Sequence, residues 1–166
     1  MTAYDQFVRP SRMSALISLT LLALISCMAK AQAMDPSVLA DFAARYAAAW
    51  SSQSPEKLAS FYRDDGSLIV NGGEPSTGRA AIAATARSYM EAFPDMVVRM
   101  DSVRQEAGQA TFHWIWTGTN SGPGGTGRSV RMTGYEEWAF SADGLIRQSV
   151  GHFDAAEYER QLAGDN

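Results

Sequence analysis

Two periodicities divide the chain. From Asp35 to about Phe93 apolar residues recur every three to four positions, and from Met96 onward they recur every second position. The first spacing predicts helices and the second predicts strands. Asp35-Pro36 supplies a cap oxygen and a proline at the first helical position, so a helix starts there. It runs to about Trp50, with Leu39, Phe42, Ala43, Tyr46 and Trp50 on one stripe. Ser54-Pro55-Glu56 opens a short second helix ending near Tyr62. Asp64-Asp65-Gly66 is turn chemistry, Ser67 to Asn71 reads as a brief strand, and a third helix from about Arg79 to Phe93 stops at Pro94.

Strands follow at about 96 to 106, 110 to 120, 127 to 140 and 145 to 153. In the second of them Phe112, Trp114 and Trp116 share one face, while Thr111, His113, Ile115 and Thr117 share the other. In the third, Met132, Glu136, Trp138 and Phe140 oppose Arg131, Thr133, Tyr135 and Glu137. One face of the meander is aromatic and needs a cover, which the helices provide. Three helices before a long meander mean an α+β fold. A short C-terminal helix starts at Asp154, whose carboxylate caps it, with Glu157 three residues later.

The beginning of the chain has a separate character. Arg9 and Arg12 precede an apolar run from Met13 to Met28, and Ala31-Gln32-Ala33 is a small-x-small cleavage signal. Residues 1–33 are therefore expected to be a signal peptide cleaved before Met34, leaving one domain over residues 34–166 in the periplasm or outside the cell. Leu24-Ile25-Ser26-Cys27 also fits a lipobox, which would leave a lipoprotein acylated at Cys27, the one route by which a membrane would be involved. Loss of residues 1–33 removes one acid and three bases, taking the formal charge from −4 to −6. It also removes the single cysteine, so disulfide and thiol chemistry are excluded from the mature domain. An acidic balance with scattered Lys and Arg excludes a nucleic-acid partner, and two histidines without ligand spacing argue against a metal.

Two series of residues carry a resemblance. Arg45-Tyr46 through Leu58, Phe61, Tyr62 and Asp64-Asp65 is similar to the opening of ketosteroid isomerases. Gly118-Thr119-Asn120, Thr126-Gly127-Arg128, Asp143-Gly144-Leu145-Ile146 and Asp154 to Gln161-Leu162 resemble SnoaL-like cyclases. Together they resemble the nuclear transport factor two-like superfamily, in its SnoaL-like and ketosteroid isomerase-like branch, over about residues 38 to 163. The resemblance implies a cone-shaped, cystatin-like roll: three N-terminal helices on a curved, mostly antiparallel sheet, with a short C-terminal helix. It also implies a cavity, needs no cofactor, and leaves the chemistry to the lining.

By that resemblance Tyr46 stands where isomerases keep an oxyanion-hole tyrosine, and Glu136 where they keep a second, protonated acid donor. The residues themselves leave alternatives. Tyr46 can simply pack between Phe42 and Trp50, Glu136 can be satisfied by neighbouring donors, and a slip of one residue would exchange Glu136 for Glu137. Val70 occupies the isomerase base position, and Gly151 the position where SnoaL-type cyclases carry an acid. The expected ligand-binding residues are Trp50, Tyr62, Val70, Trp114, Trp116, Trp138, Ser149 and Gly151, with Tyr46 and Glu136 as the catalytic pair. The expected partner is a small apolar or aromatic molecule, bound with or without carbonyl chemistry of the isomerase, cyclase or hydratase type. A homodimer is expected through the Thr face, Thr111, Ile115, Thr117, Thr133 and Tyr135.

Overall fold

The cap predicted at Asp35 forms: its carboxylate accepts the Ser37 amide at 2.8 Å and sets the start of helix α1, Pro36–Ser51. The computed structural model describes residues 34–164, so the expected signal peptide and Cys27 lie outside the described residues. After α1 come α2 (Pro55–Ala59), strands β1 (Tyr62–Val70) and β2 (Ser76–Thr77), and α3 (Arg79–Ala92). The meander then follows as β3 (Val97–Glu106), β4 (Gln109–Thr119), β5 (Ser129–Phe140) and β6 (Ile146–Phe153), closed by α4 (Ala155–Ala163).

The six strands form one sheet in the order β2-β1-β6-β5-β4-β3, antiparallel throughout except where β1 runs parallel to β6. Register shifts interrupt β3 against β4, β5 against β6 and β1 against β6. Such irregularities are where a sheet bends. The inner face carries Ala110, Phe112, Trp114 and Trp116 of β4 and Val130, Met132, Glu136 and Trp138 of β5, all buried. Helix α1 covers it with Leu39, Phe42, Ala43 and Tyr46, and α3 with Ile82, Ala86 and Met90. Ser51 Oγ ties the end of α1 to the sheet by accepting the Val98 amide at 2.9 Å.

Two local expectations differ from the structure. Tyr62 ends no helix, and Asp64-Asp65-Gly66 makes no turn; all four lie within β1. Their side chains explain how acids stand in a strand: Asp64 pairs with Arg79 at 2.9 Å and Asp65 with Arg63 at 2.8 Å, on the solvent side. Gly66 permits the close approach to β6, since a Cβ there would lie 2.9 Å from the Ile146 carbonyl. The glycine-rich segment 122–127 is also anchored rather than loose. Asn120 Nδ2 donates to the Ala92 carbonyl, Asn120 Oδ1 accepts the Thr126 amide at 2.7 Å, and the Gly122 amide donates to the Ala92 carbonyl.

Next to that segment, at the start of β5, Gln161 ties α4 to the sheet. Gln161 Oε1 accepts the Arg131 amide at 2.7 Å and Gln161 Nε2 donates to the Arg131 carbonyl at 3.2 Å.

The centre of the core is the stack of Phe112 on Trp138, with centroids 4.7 Å apart. Phe112→Ala opens a cavity where no solvent reaches and should cost about 3–5 kcal/mol; urea denaturation measures it, and a loss under 1 kcal/mol would contradict this packing.

Candidate functional site

The alternation of β5 turns Glu136 inward between Met132 and Trp138, where only 6% of it is exposed. Across the ladder it faces Phe112 on one side and Gly151 on the other. Its neighbour Glu137 points outward, with Oε2 3.4 Å from His152 Nε2.

Three donors converge on one oxygen of Glu136. Tyr46 Oη donates to Oε2 at 2.9 Å, Trp138 Nε1 at 2.9 Å and Ser149 Oγ at 2.6 Å. Behind them Tyr46 Oη lies 2.7 Å from Tyr62 Oη. Tyr46 has one proton, which goes to the carboxyl, so Tyr62 donates to Tyr46 and the three groups Tyr62, Tyr46 and Glu136 form a directed chain. No described residue donates to Oε1. A proton on Glu136 therefore belongs on Oε1, because Oε2 is already filled by incoming donors.

Burial pushes the Glu136 carboxyl above its ordinary value, opposed by the donors of Ser149, Trp138 and Tyr46, which favour the ionised form. Burial raises the phenols of Tyr46 and Tyr62 well above theirs, and the nearby Glu136 charge adds to it. Both phenols thus remain donors at any physiological pH.

In front of Glu136 lies a cavity of about 70 Å³, partly open to solvent. Its walls are Trp50 of α1, Leu68 and Val70 of β1, Tyr89 of α3, Met96, Val98 of β3, Trp114 and Trp116 of β4, and Gly151 and Phe153 of β6. Glu136 is the one acid, and no Lys, Arg or His lines it. A Cβ on Gly151 would stand 3.6 Å from Glu136 Cγ, ordinary contact, so the glycine leaves room beside the acid. Trp114 is laid across Gly134, where a Cβ would come within 2.4 Å of the indole. The indole nitrogens of Trp114 and Trp116 are buried without hydrogen-bond partners.

The expected site residues thus fall into two layers. Trp50, Val70, Trp114, Trp116, Glu136 and Gly151 line the cavity. Tyr46, Tyr62, Trp138 and Ser149 stand behind the wall, fully buried, and meet the cavity only through Glu136. Tyr46 is therefore not beside Glu136 as a second donor to a guest but a donor to Glu136 itself. Leu68, Tyr89, Met96, Val98 and Phe153 also line the cavity and were not singled out by the pattern; Tyr89, the polar one, lies seven positions after Ile82 on α3. His152 is stacked on Tyr135 at 4.7 Å on the outer face, and Asp154 caps α4 by accepting the Glu157 amide at 3.0 Å. Among the described residues no group of three His, Cys, Asp or Glu is placed to hold a metal.

The raised carboxyl has a consequence for stability. Between the ordinary glutamate value of 4.5 and its own higher one, the folded chain holds a proton that the unfolded chain has lost. Stability from Glu136 is complete below pH 4.5 and is lost as pH rises through the folded value, by up to about 1.4 kcal/mol per pH unit. Urea denaturation across pH, wild type against Glu136→Gln, should show this slope in the wild type alone; parallel curves would contradict it.

The sequence matches the model of the SnoaL-like domain over residues 43–149, whereas no curated protein sequence matches it. Solved structures repeat the fold. A protein from Jannaschia sp. CCS1, provisionally described as a SnoaL-like polyketide cyclase, superposes with a TM-score of 0.69 at 15% identity over 81% of this chain and 99% of its own. TsrD from Streptomyces laurentii gives 0.67 at 20% identity over 78% and 98%. A hypothetical protein with a ketosteroid isomerase-like fold from Catenulispora acidiphila, solved in complex with trimethylamine, gives 0.66 at 15% identity over 74% and 92%. With the matched segment spanning α1 to β6 of an α+β roll whose neighbours share its fold, this chain belongs to the SnoaL-like domain family.

Proposed function

We propose that the domain binds a small molecule in the Trp50–Trp116 cavity and holds it through Glu136. The observation that carries this is one buried carboxyl with Oε2 filled by three donors and Oε1 left for a guest, inside an otherwise apolar wall. Mostly apolar pockets with few, well-placed polar groups are the usual form of ligand sites. At about 70 Å³ the cavity is under half the about 150 Å³ of an apolar cavity that takes benzene. A compact aliphatic guest is favoured over an aromatic one. The trimethylamine of the Catenulispora relative is a molecule of that size class.

A second reading is favoured by the position of the free oxygen. Protonated at Oε1, Glu136 can donate to a carbonyl whose charge grows during enolisation, in the manner of isomerases, cyclases and hydratases. Tyr46 then acts from behind, by holding Oε2. Val70 and Gly151 supply no second acid or base at the wall, so the proton taken from carbon would pass to water or to the substrate itself. Binding without turnover is the primary reading for that reason.

Export by cleavage before Met34 is proposed on the sequence pattern of Arg9 and Arg12, the apolar run Met13 to Met28 and Ala31-Gln32-Ala33. Acylation at Cys27 is the alternative processing route. Pairing of two copies through the outer face of the sheet is supported by Val97 and Tyr135, each 38% exposed there.

Tryptophan fluorescence titrated with a panel of small solutes tests the cavity, since three of its walls are indoles. A solute that binds should bind about tenfold or more weakly to Glu136→Gln, the scale of a hydrogen bond to an ionised group. It should also be displaced by Gly151→Ala, which fills the space beside the acid. Binding unaffected by either change would remove the assignment. The mass of the protein released by its own secretion machinery should correspond to residues 34–166, and a mass retaining residues 1–33, or a lipid on Cys27, would refute cleavage before Met34. Light scattering should report a dimer.

A further inference from the structure

We propose that the guest is a compact alkylammonium cation, its methyl groups against the indole and phenol rings and its charge on Glu136 Oε1. This rests on the reading of the cavity as a ligand site and adds the class of ligand. The argument begins with the carboxyl. An indole N–H, a phenol O–H and a serine O–H all donate to Oε2 and favour the ionised form, against a burial that on balance raises the carboxyl and favours the neutral one. What a buried carboxylate lacks here is a positive charge. The groups facing it are Tyr46 from α1, Tyr62 from β1, Tyr89 from α3 and Ser149 from β6, and none is a cation. A bound cation would complete the pair.

The rest of the wall fits the same guest. Trp50 and Tyr89 meet at 85°, as do Tyr89 and Trp116, so the rings form a corner rather than a slot. Aromatic boxes of this kind attract quaternary and tertiary ammonium groups through the negative faces of the rings. A guest with an oxygen acceptor would need the N–H groups of Trp114 and Trp116. Both nitrogens are covered by surrounding atoms, so those rings present carbon to the cavity. The volume of about 70 Å³, under half that of a cavity that takes benzene, favours a nitrogen bearing three methyl groups, and the open side of the cavity leaves room for a fourth.

The test is calorimetric titration of the protein with four probes: tetramethylammonium chloride, trimethylammonium chloride, tert-butanol and acetone. Tert-butanol copies the shape without the charge, and acetone offers an oxygen acceptor. Both cations should bind at least tenfold more tightly than either neutral probe. Because tetramethylammonium carries a fixed charge, any change in its affinity with pH belongs to the protein. Its affinity should rise as pH increases above the ordinary glutamate value of 4.5 until Glu136 is ionised, and below that point binding should release a proton, seen as a dependence of the heat on the buffer. Glu136→Gln should lose the preference for cations while still unfolding in one cooperative thermal transition. Trp116→Leu should weaken the cations roughly 3- to 30-fold and leave tert-butanol within a factor of two. Acetone or tert-butanol binding as well as the cations, with Glu136→Gln indifferent to charge, would overturn the cation assignment and leave the cavity as a ligand site. Failure of all four probes would overturn both.

Discussion

The interaction on which the interior depends is the convergence of Tyr46, Trp138 and Ser149 on one oxygen of Glu136. A carboxyl taken out of water costs several kcal/mol unless its oxygens are satisfied. Each donor comes from a different part of the fold: Tyr46 from α1, Trp138 from the same strand as the acid, Ser149 from β6. Glu136 therefore ties the helical cover to two central strands. Around it the aromatic rings meet edge to face, with Tyr46 4.9 Å from Trp138 and Phe42 5.6 Å from Trp138, so the polar centre sits within dense packing.

The same arrangement separates structure from function within one side chain. Oε2 belongs to the core and its partners are fixed. Oε1 belongs to the cavity and is free to exchange partners. Replacing any donor on Oε2 alters the proton affinity of the carboxyl without changing the cavity wall. On the proposed reading, Tyr46, Tyr62, Trp138 and Ser149 reach a guest only through Glu136.

Much of this was legible in the sequence. The period of two along β5 placed Glu136 among Met132 and Trp138, and the structure keeps it there; Asp35 and Asp154 announced their helices as caps. The parity of β4 gave the aromatic face. What period and spacing do not carry is depth. Trp114 and Trp138 share the inner face, yet one borders the cavity and the other seals the core, because depth depends on how far the helices approach each part of the sheet. Asp64-Asp65-Gly66 misled for a related reason. Residues that favour turns lie here in an irregularity of β1, between its Tyr62 and Ser67 pairs with β6, where Arg63 and Arg79 meet the two carboxylates, which no local propensity describes. The volume of the cavity follows from side-chain packing across Gly134 and Gly151 and has no signature in pattern at all.

The docking of Gln161 on Arg131 has its own implication. Strand β6 ends at Phe153, opposite Gly134, so the stretch of β5 before Gly134 has no strand beside it on that side. There the primary amide of Gln161 supplies one donor and one acceptor to the Arg131 backbone, a single rung imitating a neighbouring strand. Exposed strand margins recruit foreign chains and seed aggregation. A helix that carries its own counterfeit rung blunts that margin of β5 with a side chain, without lengthening the sheet.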